Sequence, residues 1–132
     1  MSVDWLLSLA FSLTLVGGPH SGSPPPSAQD IRYIESKVSL PDDAPGPLSS
    51  YERYYAWTMD NGKKYIYAEY VSINLLGPNK PDPPVGHSHA VTEQDIPTVS
   101  NGGCGVITFY FNPRADHTPS LYCNAVGPSA AP

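Results

Sequence analysis

Basic charge is the scarcest feature of this 132-residue chain: seven lysines and arginines stand against twelve aspartates and glutamates, a formal net charge of −5. No basic run is longer than Lys63-Lys64. A nucleic-acid partner needs a lysine and arginine stripe to meet its phosphates, so that class is set aside. Only two cysteines are present, Cys104 and Cys123, and they do not form a C-x-x-C. That argues against structural zinc and thioredoxin-like redox chemistry, and suits one disulfide in an oxidising compartment. The chain also lacks a convincing Gly-x-Ser-x-Gly elbow, Ser21-Gly22-Ser23 lying in the spacer, and a reactive cysteine beside a histidine. Gly102-Gly103-Cys104-Gly105 has neither the Lys-Ser/Thr of a P-loop nor the strand-turn-helix setting of a dinucleotide site, so it reads as a turn entering a strand. No internal repeat and no heptad pattern is present.

Breakers, by contrast, are abundant. Sixteen prolines and eleven glycines divide the chain into short segments and forbid long helices, while 40% hydrophobic residues suffice for a modest core. The length suits one domain. Trp5 to Val16 is a dozen mostly apolar residues, the size of a signal-peptide h-region and short of the roughly 20 that span a bilayer. The segment before it carries Asp4 and no lysine or arginine, and no clean A-x-A site follows, with Gly18 and Ala28 as cleavage candidates. The alternative is an uncleaved apolar anchor. The division expected is residues 1–28 as signal or anchor plus a Pro/Ser-rich extended spacer, 29–126 as one small exported domain, and 127–132 as a frayed tail. The protein is then periplasmic or extracellular, with no stable membrane span after signal removal.

The expected fold is mainly β, with a small α+β variant open: an antiparallel sheet built from two β-hairpins, one disulfide and long Pro-rich loops. In the first hairpin Asn61-Gly62 is the two-residue type I′ turn, since both residue types tolerate positive φ. Counting from it pairs Trp57 with Ile66, Tyr55 with Ala68 and Arg53 with Tyr70, and puts Tyr54, Tyr65, Tyr67 and Glu69 on the other face. A helical turn around Ser49 to Arg53 can precede it. In the second, Val106 to Phe111 runs out, Asn112 to Ala115 turns with Pro113 in its second position, and Ser120 to Cys123 returns. That register sets Phe111 opposite Asp116 and Cys104 opposite Cys123, close enough for a disulfide. Tyr55, Trp57, Ile66, Ala68, Val106, Ile107, Phe109 and Leu121 form the expected core. Ile31 to Leu40 reads equally as helix or strand. Leu76 to Gly103 reads as a long connection with at most a turn at Thr92 to Asp95.

Three constellations could carry chemistry. His87-Ser88-His89, with Glu93, Asp95 and His117 elsewhere, resembles a metal-ligand group, because an extended H-x-H points both imidazoles to one side and can chelate zinc or copper. Two solvated histidines are the plainer reading. Tyr54, Tyr65 and Tyr67 share a sheet face and can grip a ligand, although half-buried packing also explains tyrosines on a small sheet. Glu52, Glu69, Glu93 and Asp95 can pair in space as acid and base, as they can in many small domains. The leading expectation is therefore an exported, non-catalytic binding or scaffolding protein without a cofactor, its partner an unidentified protein or small molecule. A metal-binding protein using His87 and His89 with Zn or Cu is the alternative, and a small carboxylate-dependent enzyme the second alternative.

Overall fold

The computed structural model describes residues 23–115, 119 and 121–124. The apolar N-terminal segment, His117 and the tail lie outside them. The longest elements are β1 (Tyr51–Asp60) and β2 (Lys63–Ser72), joined at Asn61 and Gly62, whose φ angles of 52° and 77° are the positive pair that a type I′ turn requires. They run antiparallel with Arg53, Tyr55 and Trp57 opposite Tyr70, Ala68 and Ile66, the register counted from Asn61-Gly62. A short 3-10 turn, Leu48–Ser50, leads into β1.

Three further strands come from the distant parts of the chain. β3 (Ser88–Ala90) lies against β1 and β4 (Val106–Phe111) against β2, with β5 (Tyr122–Cys123) outermost, giving the order β3-β1-β2-β4-β5. The β1–β3 pairing is parallel. The sheet is therefore mixed, which corrects the purely antiparallel expectation, and the connection from Leu76 to Gly103 carries a strand as well as a turn at Glu93–Asp95. Three residues are too few to show a period of two, and a parallel partner leaves no turn signal, so β3 has no mark in the sequence.

The register at the other edge also differs. β4 and β5 are antiparallel, but Cys123 sits opposite Ile107 and Tyr122 opposite Thr108, three residues from the expected pairing. Ala115 donates its N–H to the Asn112 carbonyl at 3.0 Å, so the turn forms where expected. The slip arises because Cys104 is not in a strand: Gly102, at φ 96°, bends the chain into a 3-10 turn over Gly103–Gly105. That turn carries Cys104 to a Cα separation of 4.4 Å from Cys123, and the two form the disulfide.

The ambiguous N-terminal stretch is a helix, α1 (Ala28–Lys37). Ser27 caps it reciprocally with Asp30: the Asp30 N–H donates to Ser27 Oγ at 3.0 Å and the Ser27 N–H to Asp30 Oδ2 at 2.9 Å. Ala28, assigned above to an extended spacer, is its first residue. The helix buries Ile31 and Ile34 on one sheet face against Tyr51, Tyr55, Ile66, Ala68, Tyr70, Ile107, Phe109 and Phe111. Each buried isoleucine contributes about 1.5 to 3 kcal/mol of apolar transfer. Trp57 and Leu121, expected in the core, pack half-buried at its margin, and Val106 is buried on the opposite face, next to Val71.

Candidate functional site

The two faces of the sheet treat their polar groups differently. On the helix face the Glu35 carboxylate is saturated: its Oε2 accepts from Arg53 Nε at 2.9 Å, from the Tyr55 hydroxyl at 2.8 Å and from Ser88 Oγ at 2.6 Å. Arg53 also donates Nη1 to the Leu48 and Tyr51 carbonyls and Nη2 to Ser88 Oγ. Burial pushes the Glu35 carboxyl up, but the hydrogen bonds from Ser88, Tyr55 and Arg53, with the guanidinium charge, outweigh it and hold the group below its ordinary value. One carboxylate thus ties α1 to β1 and β3. Tyr55 continues the network to the Tyr70 hydroxyl at 2.8 Å, and burial raises both phenols.

The opposite face carries Glu52, Tyr54 and Thr58 from β1, Tyr65, Tyr67 and Glu69 from β2, His89 from β3 and Thr108 and Tyr110 from β4. Its middle is a pocket of about 330 Å³. Glu69, Tyr67 and Thr108 contribute from the sheet, Glu93 and residues 96–99 from the overlying loop, and Asn124 from the end of β5. Glu93 is held by Thr58, whose hydroxyl donates to Oε2 at 2.7 Å. Asn124 fixes the loop by donating Nδ2 to the carbonyls of Val99 and Asn101 at 2.8 and 2.7 Å. Its own N–H bonds the Val106 carbonyl at 2.7 Å, one residue beyond the disulfide, so the staple anchors a wall of the pocket.

Glu69 is only 4% exposed. The Tyr67 hydroxyl donates to its Oε1 at 3.2 Å, and its Oε2 has no hydrogen-bond partner among the described residues. Burial pushes the carboxyl above its ordinary value, against the opposing effect of the Tyr67 bond. Burial, followed by the neighbouring Glu69 charge, pushes the Tyr67 phenol up to about 12. A polar group withdrawn from water without a partner costs about 1 to 3 kcal/mol, so this oxygen is an uncompensated cost of the fold.

The sequence-predicted site residues fall into separate places on this face. Tyr67 lines the Glu69 pocket; Tyr65 lines a second hollow of about 400 Å³ with Met59, Asp60 and Tyr110 at the hairpin end. Tyr54 stacks on the His89 ring with centroids 4.7 Å apart. His89 Nε2 is hydrogen-bonded to Glu52 Oε1, and His87 Nδ1 lies 3.8 Å from Glu52 Oε2. Glycine sets that approach: the Gly86 N–H bonds the Ser49 carbonyl at 2.8 Å, and a Cβ on Gly86 would overlap the Tyr51 carbonyl. The two histidines thus converge on a carboxylate, yet among the described residues no three His, Cys, Asp or Glu side chains are arranged to hold a metal ion. Of the four acidic candidates, Glu69 and Glu93 meet in one pocket. Asp95 instead accepts from the Thr92 hydroxyl at 3.1 Å.

Sequence reasoning misses Glu35 and Arg53 as a pair, although Ser27-x-x-Asp30 is a helix-start signal that fixes the phase of α1 and puts Glu35 on the face of Ile31. Asn124 carries no signal. Among the described residues no helix is long and apolar enough to cross a membrane. No protein-family model, curated protein or solved structure matches this chain.

Proposed function

We propose that this is a small exported, non-catalytic binding protein that takes its ligand on the sheet face opposite α1, in the pocket floored by Glu69. The observation that carries the reading is the buried Glu69 Oε2, which lacks a hydrogen-bond partner among the described residues and lies on a face walled by Tyr67, Thr108, Glu93 and Asn124. A fold that satisfies Glu35 with three hydrogen bonds has the means to satisfy Glu69, so the exception fits a site completed by something bound. The disulfide is compatible with export. Amide NMR spectra recorded with a chemically mixed set of small fragments test the reading. Shifts that saturate and map to Tyr67, Glu69, Thr108 and Asn124 support it; shifts confined to the helix side, or none, contradict it.

One observation favours a second reading, a zinc or copper site at His87 and His89: Glu52 approaches both imidazoles. A metal there would take His89 Nε2 away from the carboxylate. Metal analysis of protein purified without a histidine tag tests this, with stoichiometric zinc or copper lost on His87→Ala/His89→Ala as the supporting result and metal-free protein as the contrary one.

A further inference from the structure

Resting on the binding reading above, we infer that the Glu69 pocket takes a primary ammonium group, which draws the Glu69 carboxylate round to accept an N–H at Oε2, an atom closed to water in the free protein, and lies against the Tyr67 ring. The free chemistry of the pocket selects the charge. Two carboxylates, Glu69 and Glu93, line it and no lysine or arginine does, so an anion would meet repulsion with nothing to offset it. Hydrogen-bond capacity selects among cations. The Glu69 Oε2 atom needs a donor, which a primary ammonium has and a quaternary ammonium lacks. A divalent metal is held best by several charged or imidazole ligands, and among the described residues no three His, Cys, Asp or Glu side chains are arranged to hold one.

The remaining lining supports the same class. The Tyr67 hydroxyl is committed to Glu69 Oε1 and its ring packs against Tyr110 with centroids 5.1 Å apart, so the part of the ring that lines the pocket is what a cation would meet. Ile96, Pro97 and Val99 provide an apolar stretch of wall for a short alkyl chain. Neutral polyols also donate hydrogen bonds, but they gain nothing from the charge of Glu69 or Glu93. A free alkylamine and the lysine side chain of a partner peptide present the same group, and the test separates them.

The experiment is an amide NMR titration of the full chain with 1,5-diaminopentane and, separately, with the lysine side chain as Nα-acetyl-lysine amide. Pentane-1,5-diol and tetramethylammonium serve as neutral and donorless controls. Both amines should shift Tyr67, Glu69, Thr108 and Asn124, the tighter of the two naming the source, while the controls bind at least about tenfold more weakly, the loss expected for one charge-assisted hydrogen bond. Glu69→Gln, which keeps the side-chain shape, should weaken the amines by a similar factor. Diol binding as tight as diamine binding overturns the ammonium assignment and leaves the binding face standing, as do amine shifts that map to other residues while neutral fragments shift these. No shift on this face with any of these compounds or with the mixed fragments overturns both. The control comparison is made on the unaltered protein, so its outcome does not depend on the variant folding.

Discussion

Two glutamates on opposite faces of one sheet have opposite surroundings. Glu35 receives three hydrogen bonds from side chains of β1 and β3, whereas Glu69 receives one and leaves an oxygen buried without a partner among the described residues. Their titrations shift accordingly, Glu35 downward and Glu69 upward. The difference teaches where this small domain secures its fold and where it leaves a polar group unsatisfied: the helix face is an interlocked core, and the opposite face holds a carboxyl oxygen without a partner among the described residues.

The comparison is broken most severely from the Glu35 side. Glu35→Ala removes the acceptor for Arg53, Tyr55 and Ser88 and leaves the guanidinium without its counter-charge, held only by Ser88 and the Leu48 and Tyr51 carbonyls, so unfolding by urea should show a loss of about 3 kcal/mol, the low end for a broken buried pair because Glu35 is part-exposed. A loss under about 1 kcal/mol would mean that the network reforms without its centre. Next comes the staple. The disulfide closes a loop over a sequence separation of 19, worth roughly 3 kcal/mol in the chain-entropy estimate. Cys104→Ser/Cys123→Ser should lose about that much and, through Asn124, blur the wall of the Glu69 pocket. Mass spectrometry of the protein kept under non-reducing conditions should show it about 2 Da lighter than the reduced form, the two hydrogens given up on oxidation.

Glu69→Gln should have the smallest effect on the fold. It removes a group whose charge is disfavoured by burial and keeps the shape, so stability near neutral pH should stay within about 1 kcal/mol, on the stabilising side. The pH dependence sharpens the contrast. The folded state holds the Glu35 carboxylate better than the unfolded chain, so its contribution is present above the ordinary carboxylate range and lost as pH falls through its depressed folded value. For Glu69 the folded state holds the proton better, so its contribution is present at low pH and declines as pH rises through its elevated folded value. Urea unfolding between pH 3 and 8 should therefore show a shallower acid-side slope in Glu35→Gln and a shallower decline toward neutrality in Glu69→Gln.

Much of this architecture is legible in the residues alone. Asn61-Gly62 dictates its turn, and with a side-chain period of two it places every residue of β1 and β2 on a face, including Tyr67 and Glu69 on the open one. The staple is legible because two cysteines in a small chain have few alternatives. The register behind it is not: strand counting assumes that Cys104 is extended, and positive φ at Gly102 breaks that assumption. β3 is hidden for a different reason. Its place depends on Gly86 passing against the Tyr51 backbone and on Ser88 reaching Glu35, contacts between segments far apart in sequence that leave no local pattern. The pocket inherits both obscurities, since its roof follows β3 and its wall follows the Cys104 turn.

The most direct test is the titration of Glu69 itself, followed by the side-chain carboxyl 13C signals of glutamate-labelled protein with and without saturating 1,5-diaminopentane. The groups that face it are Tyr54 across β1 and Thr108 across β4, Tyr67 beside it, Glu93 from the loop, and Glu52 farther along the same face of β1. In free protein the Glu69 signal should titrate above the ordinary carboxylate range and that of Glu35 below it. The diamine should bring the Glu69 midpoint down and leave Glu35 where it was. An ordinary midpoint for Glu69 in free protein, or one that saturating diamine does not move, would contradict the claim that this face keeps an unpartnered carboxyl for a cation.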